Sequence, residues 1–284
     1  MPEAIPPRRL DAALAWAQQL RLPRLEAQML LLHTLGRGPH DRAWLLAHDG
    51  EPLASGAWTS FEHLCRRRLS GEPVAYLIGH KAFYGLDLRV NEQVLDPRPD
   101  TETLVDWALQ VLQAQTAPLI VDLGTGSGAI ALALKAQRPD ASVTAIDASP
   151  QALEVARHNA RRLNLPITVR QGNWLAGDHG RFDLIAGNPP YIAEDDPHLA
   201  ALRHEPRMAL ASGADGLNAI RAIIAQAPVH LRPGGWLLLE HGHEQASAVC
   251  QLLQAAGFTQ VQSRSDLAGH ARCSGGCWME SPAP

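Results

Sequence analysis

Leu119-Ile120-Val121-Asp122-Leu123-Gly124-Thr125-Gly126-Ser127-Gly128-Ala129-Ile130-Ala131-Leu132-Ala133-Leu134 is the stretch that decides the fold. Leu119 to Asp122 is an apolar run closed by a carboxylate, the pattern of a buried strand, and from Gly128 to about Gln137 the residues suit a helix. Three glycines at alternate positions join the two. They let the backbone turn tightly and come close to a ligand with no Cβ in the way. Strand, glycine turn and helix in that order open a parallel α/β unit.

Toward the C-terminus the alternation continues. Strands are expected at Ser142 to Asp147, Ile167 to Arg170, Phe182 to Ala186 and, after the turn Pro233-Gly234-Gly235, Trp236 to Glu240, with a helix from Pro150 to about Leu163. Phe258 to Ser263 and Cys277 to Glu280 supply the last two strands of seven, in a parallel sheet with helices on both faces. Toward the N-terminus, apolar positions recur at helical spacing from Leu10 to about Leu69, with breaks at Pro23, Gly36-Arg37-Gly38-Pro39 and Gly50-Glu51-Pro52. That stretch reads as a small all-α bundle. The segments Tyr76-Leu77-Ile78-Gly79 and Phe83 to Val90 suit a β-hairpin linker, so the expected division is 1–84 for the bundle with the start of the hairpin and 85–284 for the α/β domain.

A net charge of −4 and a pI near 6.3 argue against a protein that binds nucleic acid chiefly by neutralising phosphates. Arg66-Arg67-Arg68 and Arg161-Arg162 read as solvated helix faces. Arg8-Arg9 is followed by a stretch broken by Asp11, Gln18 and Gln19, which is no secretory start, and no run is long enough to span a bilayer. The four cysteines are too few and scattered for a disulfide framework, which makes the cytoplasm the simplest home. Cys273-x-x-x-Cys277 lacks a second ligand pair, His241 and His243 stand two apart, and no metal site is expected. The thirteen histidines have no triad context.

The chemistry is written in two places. Gly124, Gly126 and Gly128 alternate strictly, whereas a dinucleotide fingerprint spaces its second and third glycines three apart; strict alternation fits a loop wrapped around the amino-acid part of S-adenosylmethionine. Thr125 and Ser127 belong to the same loop. Asp147 ends the next strand, where a carboxylate accepts from two ribose hydroxyls in either cofactor class. Asn173 and Trp174 follow the third strand, at the edge where adenine would lie; Trp174 either stacks on that ring or serves as a core or surface residue. Some sixty positions after the loop comes Asn188-Pro189-Pro190-Tyr191. Asn188 offers a side-chain carbonyl, and the prolines offer main-chain carbonyls with no N–H to neutralise them. The corner is an acceptor-rich socket for an NH₂ group, with Tyr191 against its flat face. It resembles the S-adenosylmethionine-dependent methyltransferases that act on glutamine amides or on adenine and cytosine amines.

The resemblance sharpens with Gly71 to Gly79, Val94-Leu95-Asp96-Pro97-Arg98-Pro99-Asp100-Thr101-Glu102, Glu205-Pro206-Arg207, Ser212 to Leu217, Glu240-His241-Gly242 and Asp266-x-x-Gly269-x-x-Arg272. Over nearly its whole length the chain is similar to the bacterial release factor glutamine methyltransferase family. That implies a seven-stranded Rossmann-like methyltransferase domain, S-adenosylmethionine as cofactor, class 1 peptide-chain release factors as protein substrate, and the amide nitrogen of the Gly-Gly-Gln glutamine as acceptor. Neither direct nucleic-acid binding nor a membrane is implied. Asn188, Pro189 and Tyr191 are the implied catalytic residues, Asn188 also touches the cofactor, and Pro190, Arg98 and Glu102 join the substrate side. Arg98 to Glu102 separates this family from its sibling that methylates a ribosomal protein, which resembles Arg-Ser-Pro there. Asp96 and Asn173 depart from the family pattern, which favours an apolar residue and Asp. A nucleic-acid amino methyltransferase would also explain socket and loop, and a non-catalytic scaffold the fold alone.

Overall fold

A computed structural model describes residues 9–279. The chain divides after Gly79 into two compact units. In the first, α1 (Leu10–Gln19), α2 (Arg24–Thr34), α3 (Arg42–Ala47), α4 (Ser55–Leu69) and α5 (Val74–Ile78) enclose Leu10, Leu30, Leu31, Leu45, Phe61 and Cys65. Sequence breaks set the helix ends: α2 begins after Pro23 and stops at Gly36, whose φ of +68° lets the Gly36 and Arg37 amides bond back to the His33 and Leu32 carbonyls. The arginine run of α4 is ion-paired: Arg66 meets Glu62, Arg67 meets Glu72, and Arg68 crosses to Glu26 of α2 at 2.7 Å. Tyr76-Leu77-Ile78 is helical, not a hairpin strand. Pro73 presets its first turn and Gly79, at φ +76°, ends it, a case in which a short apolar run looks alike in either state.

The second unit opens with the hairpin, β1 (His80–Phe83) and β2 (Leu86–Arg89), joined by Tyr84 and Gly85 with φ of +48° and +76°. Two left-handed residues make the turn that matches strand twist. After α6 (Glu102–Val111) comes a seven-stranded sheet of β3 (Leu119–Leu123), β4 (Ser142–Asp147), β5 (Thr168–Gln171), β6 (Phe182–Gly187), β7 (Leu231–Glu240), β8 (Thr259–Ser265) and β9 (Ala271–Trp278). Its order is β5-β4-β3-β6-β7-β9-β8. The first five strands run parallel, and β9 is antiparallel to both neighbours.

Alternate residues face opposite sides. Val121, Leu123, Ile185, Leu237 and Leu239 pack under α9 (Asn218–His230) and α10 (Ala246–Ala255). On the other side lie α6 and α7 (Ala129–Gln137), where Trp107 meets Trp236 edge to face at 6.1 Å, and α8 (Pro150–Arg162) follows β4. The last strand starts six residues before the position read from sequence, and Glu280 lies outside the described residues. Gly275 and Gly276 hid it. A Cβ on Gly275 would stand 2.5 Å from the Leu237 carbonyl, and one on Gly276 would stand 2.9 Å from Phe258. Strand contact demands glycine there, which leaves no apolar signal.

Candidate active site

Strand order reverses between β3 and β6, so a crevice opens at their carboxyl ends. The glycine loop leaves β3 and Asn188 follows β6. Gly124, Gly126 and Gly128 have φ of +70°, +54° and +85°, and the Gly124 and Thr125 amides both donate to the Ile146 carbonyl at the end of β4. Asp122 is fully buried and ties the loop to α7: its Oδ2 accepts from Thr125 Oγ1 at 2.6 Å and from the Ala131 amide at 3.2 Å. Burial pushes its pKa up to about 7. Asp147 braces the loop from below, taking the Gly126 amide on Oδ2 and the Ser149 amide on Oδ1, each at 2.9 Å. Each oxygen keeps a further lone pair.

The cleft above holds about 1000 Å³, its open mouth included. Gly124, Thr125, Gly126, Ser127, Asp147, Asn173, Trp174 and Asn188 all line it. Gly128 does not. It stands at the start of α7, where a Cβ would come within 3.1 Å of Leu132. Trp174 has a left-handed φ of +55° and its ring covers the loop, 3.4 Å from where a Gly124 Cβ would be. The fit to S-adenosylmethionine is good. The loop presents no Cβ, a carboxylate with spare lone pairs sits at the second strand's end, and an indole flanks the third.

Asn188 is half-buried, and its Nδ2 donates to Thr101 Oγ1 at 3.2 Å. Pro190 lines the cleft and Pro189 is buried beside it. Tyr191 is not among the lining residues. Its carbonyl accepts from Gln245 Nε2 at 3.0 Å and its ring lies next to Gly242; burial raises its pKa. Arg98 does line the cleft, held by Glu205 at 2.6 Å and Asp96 at 3.7 Å. Lys81 of the hairpin compensates the charge of Asp96 at 3.1 Å. Glu102 is not among the lining residues. It opens α6 and points at the hairpin, where its Oε1 accepts from the Tyr84 amide at 2.8 Å. Phe83, Thr101 and Met208 also line the cleft; the sequence marks Thr101 only as a hydroxyl inside the Arg98 to Glu102 segment and carries no signal for the other two.

Among the described residues no three acidic, histidine or cysteine side chains gather around a metal-sized space, and no helix is long and apolar enough to cross a membrane. Residues 103–209 match the family described as Methyltransferase small domain, and residues 9–79 match PrmC N-terminal domain. A release factor glutamine methyltransferase of Xylella fastidiosa (strain Temecula1) is 50% identical over 93% of this chain and 96% of its own length. One from Bordetella pertussis is also 50% identical, over 90% of this chain and 95% of its own. A solved methyltransferase from Pyrococcus furiosus has a TM-score of 0.52 at 21% identity, covers 75% of this chain and 97% of its own, and supports the fold alone. With half of its residues shared along nearly the full length of such relatives, the chain belongs to the release factor glutamine methyltransferase family.

Proposed function

We propose that this protein uses S-adenosylmethionine to methylate the side-chain amide nitrogen of the glutamine in the Gly-Gly-Gln motif of class 1 release factors, in the cytoplasm and without binding nucleic acid directly. The observation that carries the reading is that Asn188 lines the same cleft as the glycine loop and Asp147. S-adenosylmethionine supplies the methyl group. Asp147 holds its ribose, Gly124 to Ser127 its amino-acid end, and Asn173 and Trp174 its adenine.

An amide nitrogen is a poor nucleophile because its lone pair is shared with the carbonyl. Asn188 Oδ1 and the Pro189 carbonyl accept its two hydrogens and fix its direction, a form of orientation that supplies roughly 7–11 kcal/mol in favourable cases. No side-chain base is needed, since an N-alkylated amide cation loses its proton to water. Arg98 faces the entering tip, and Tyr191 backs the corner. The first unit, whose sequence carries no cofactor motif, docks the release factor. The test is methyl transfer from labelled S-adenosylmethionine to release factor, ribosomal protein and DNA in parallel; label on either of the last two alone would overturn the reading.

A further inference from the structure

Glu240 is the last residue of β7 and is 1% exposed. Neither of its buried carboxylate oxygens makes a hydrogen bond. A carboxylate this deep without partners is destabilising, so its place calls for an explanation. The parallel register sets Gly187 opposite Leu239, which brings the next pair, Asn188 and Glu240, side by side at the carboxyl ends of their strands. Thr101, 4% exposed, stands with them; burial raises the Glu240 pKa to about 7, and the Thr101 hydroxyl and the Asn188 amide offset part of that rise.

The donor arithmetic is one-sided. Once ionised, above about pH 7, the Glu240 carboxylate only accepts, a hydroxyl has one hydrogen, and a carboxamide has a donating and an accepting end. With the Asn188 Nδ2 given to Thr101 Oγ1, the hydroxyl hydrogen is free for Glu240. A flipped Asn188 would set its oxygen against the carboxylate and leave Thr101 to choose between two acceptors. We propose that Glu240, acting through Thr101, is a positioning residue that locks the Asn188 carboxamide with its oxygen toward the cleft, where it receives the substrate's NH₂. This deepens the glutamine-methylation reading and rests on it. Arg272 from β9 supplies the countercharge, itself 3.1 Å from Asp266 and 3.2 Å from Asp100.

The test uses the full chain and full-length release factor, with kcat and KM for methyl transfer, the Kd for S-adenosylmethionine and a thermal melt for each variant. Glu240→Gln brings donors to face Asn188 and removes the bias, so kcat should fall at least tenfold while KM and the cofactor Kd stay within about twofold. Thr101→Val should do the same and Thr101→Ser should restore kcat, which keeps the question decidable if Glu240→Gln folds poorly. The double variant should lose no more than the worse single one, because the two act in series. Wild-type kcat in Thr101→Val, or multiplicative losses in the double variant, would overturn the positioning role. Absence of methylation by the wild-type chain in the same assay would instead overturn the reading beneath it.

Discussion

Asp147→Ala tests how the loop and the cofactor share one carboxylate. In the structure that carboxylate already accepts the Gly126 and Ser149 amides at 2.9 Å each, so alanine leaves two backbone N–H groups without acceptors at the cleft wall and removes the lone pairs meant for ribose. A hydrogen bond to a charged group contributes about 1.5–3 kcal/mol. Loss of the ribose contacts alone therefore predicts a Kd for S-adenosylmethionine raised about 10- to 150-fold. Gly126 sits at φ +54° and depends on the brace, so a looser loop adds to the loss. Calorimetric titration of the cofactor into wild type and variant reads the effect, with circular dichroism to show that both are folded. A Kd within twofold of wild type in a folded variant would refute the assignment of Asp147 and with it the place of β4 in the site.

Gly187→Ala would put a Cβ 2.7 Å from the Leu123 carbonyl, forcing β6 away from β3 one residue before Asn188; methyl transfer should fall with a lowered melting temperature, and an unchanged rate would contradict the need for close strand approach. Asp122 has its pKa raised by burial from 3.8 to about 7, so the folded state holds a proton that the unfolded chain gives up between those values, and the stabilisation present below pH 3.8 is lost as pH rises toward 7. Asp122→Asn should flatten that fall, by up to about 4 kcal/mol at neutral pH from the linkage relation, as read by urea melts from pH 4 to 8; an unaltered slope would mean that Asp122 does not carry it. A chain beginning at His80 should keep cofactor binding and lose most of its rate on full-length release factor, and a wild-type rate would remove the docking role from the first unit.

Much of this was legible from residue order alone. Buried parallel strands read as apolar runs, which exposed β3, β4 and β6, and glycines that must adopt positive φ marked the loop between β3 and α7. Asn188 was visible because two prolines isolate its carbonyls. What stayed hidden depended on contacts distant in sequence. Glycines in β9 are dictated by Leu237 and Phe258, α5 has no period long enough to separate helix from strand, and the Glu102 side chain goes to Tyr84 although its neighbour Thr101 faces Asn188. Glu240 read as the end of a strand; only the register beside Asn188 gives it a task.

The central claim is nitrogen methylation of a glutamine amide held by Asn188 and Pro189, and mass spectrometry of the release-factor tip peptide tests it most directly. Wild-type protein with labelled S-adenosylmethionine should add one methyl to the amide nitrogen of the Gly-Gly-Gln glutamine. A Gly-Gly-Glu release factor, with no NH₂ to place, should receive none, and Asn188→Ala should cut kcat with cofactor binding retained. Methylation of the Gly-Gly-Glu tip, methylation at another residue, or a wild-type rate from Asn188→Ala would contradict the account.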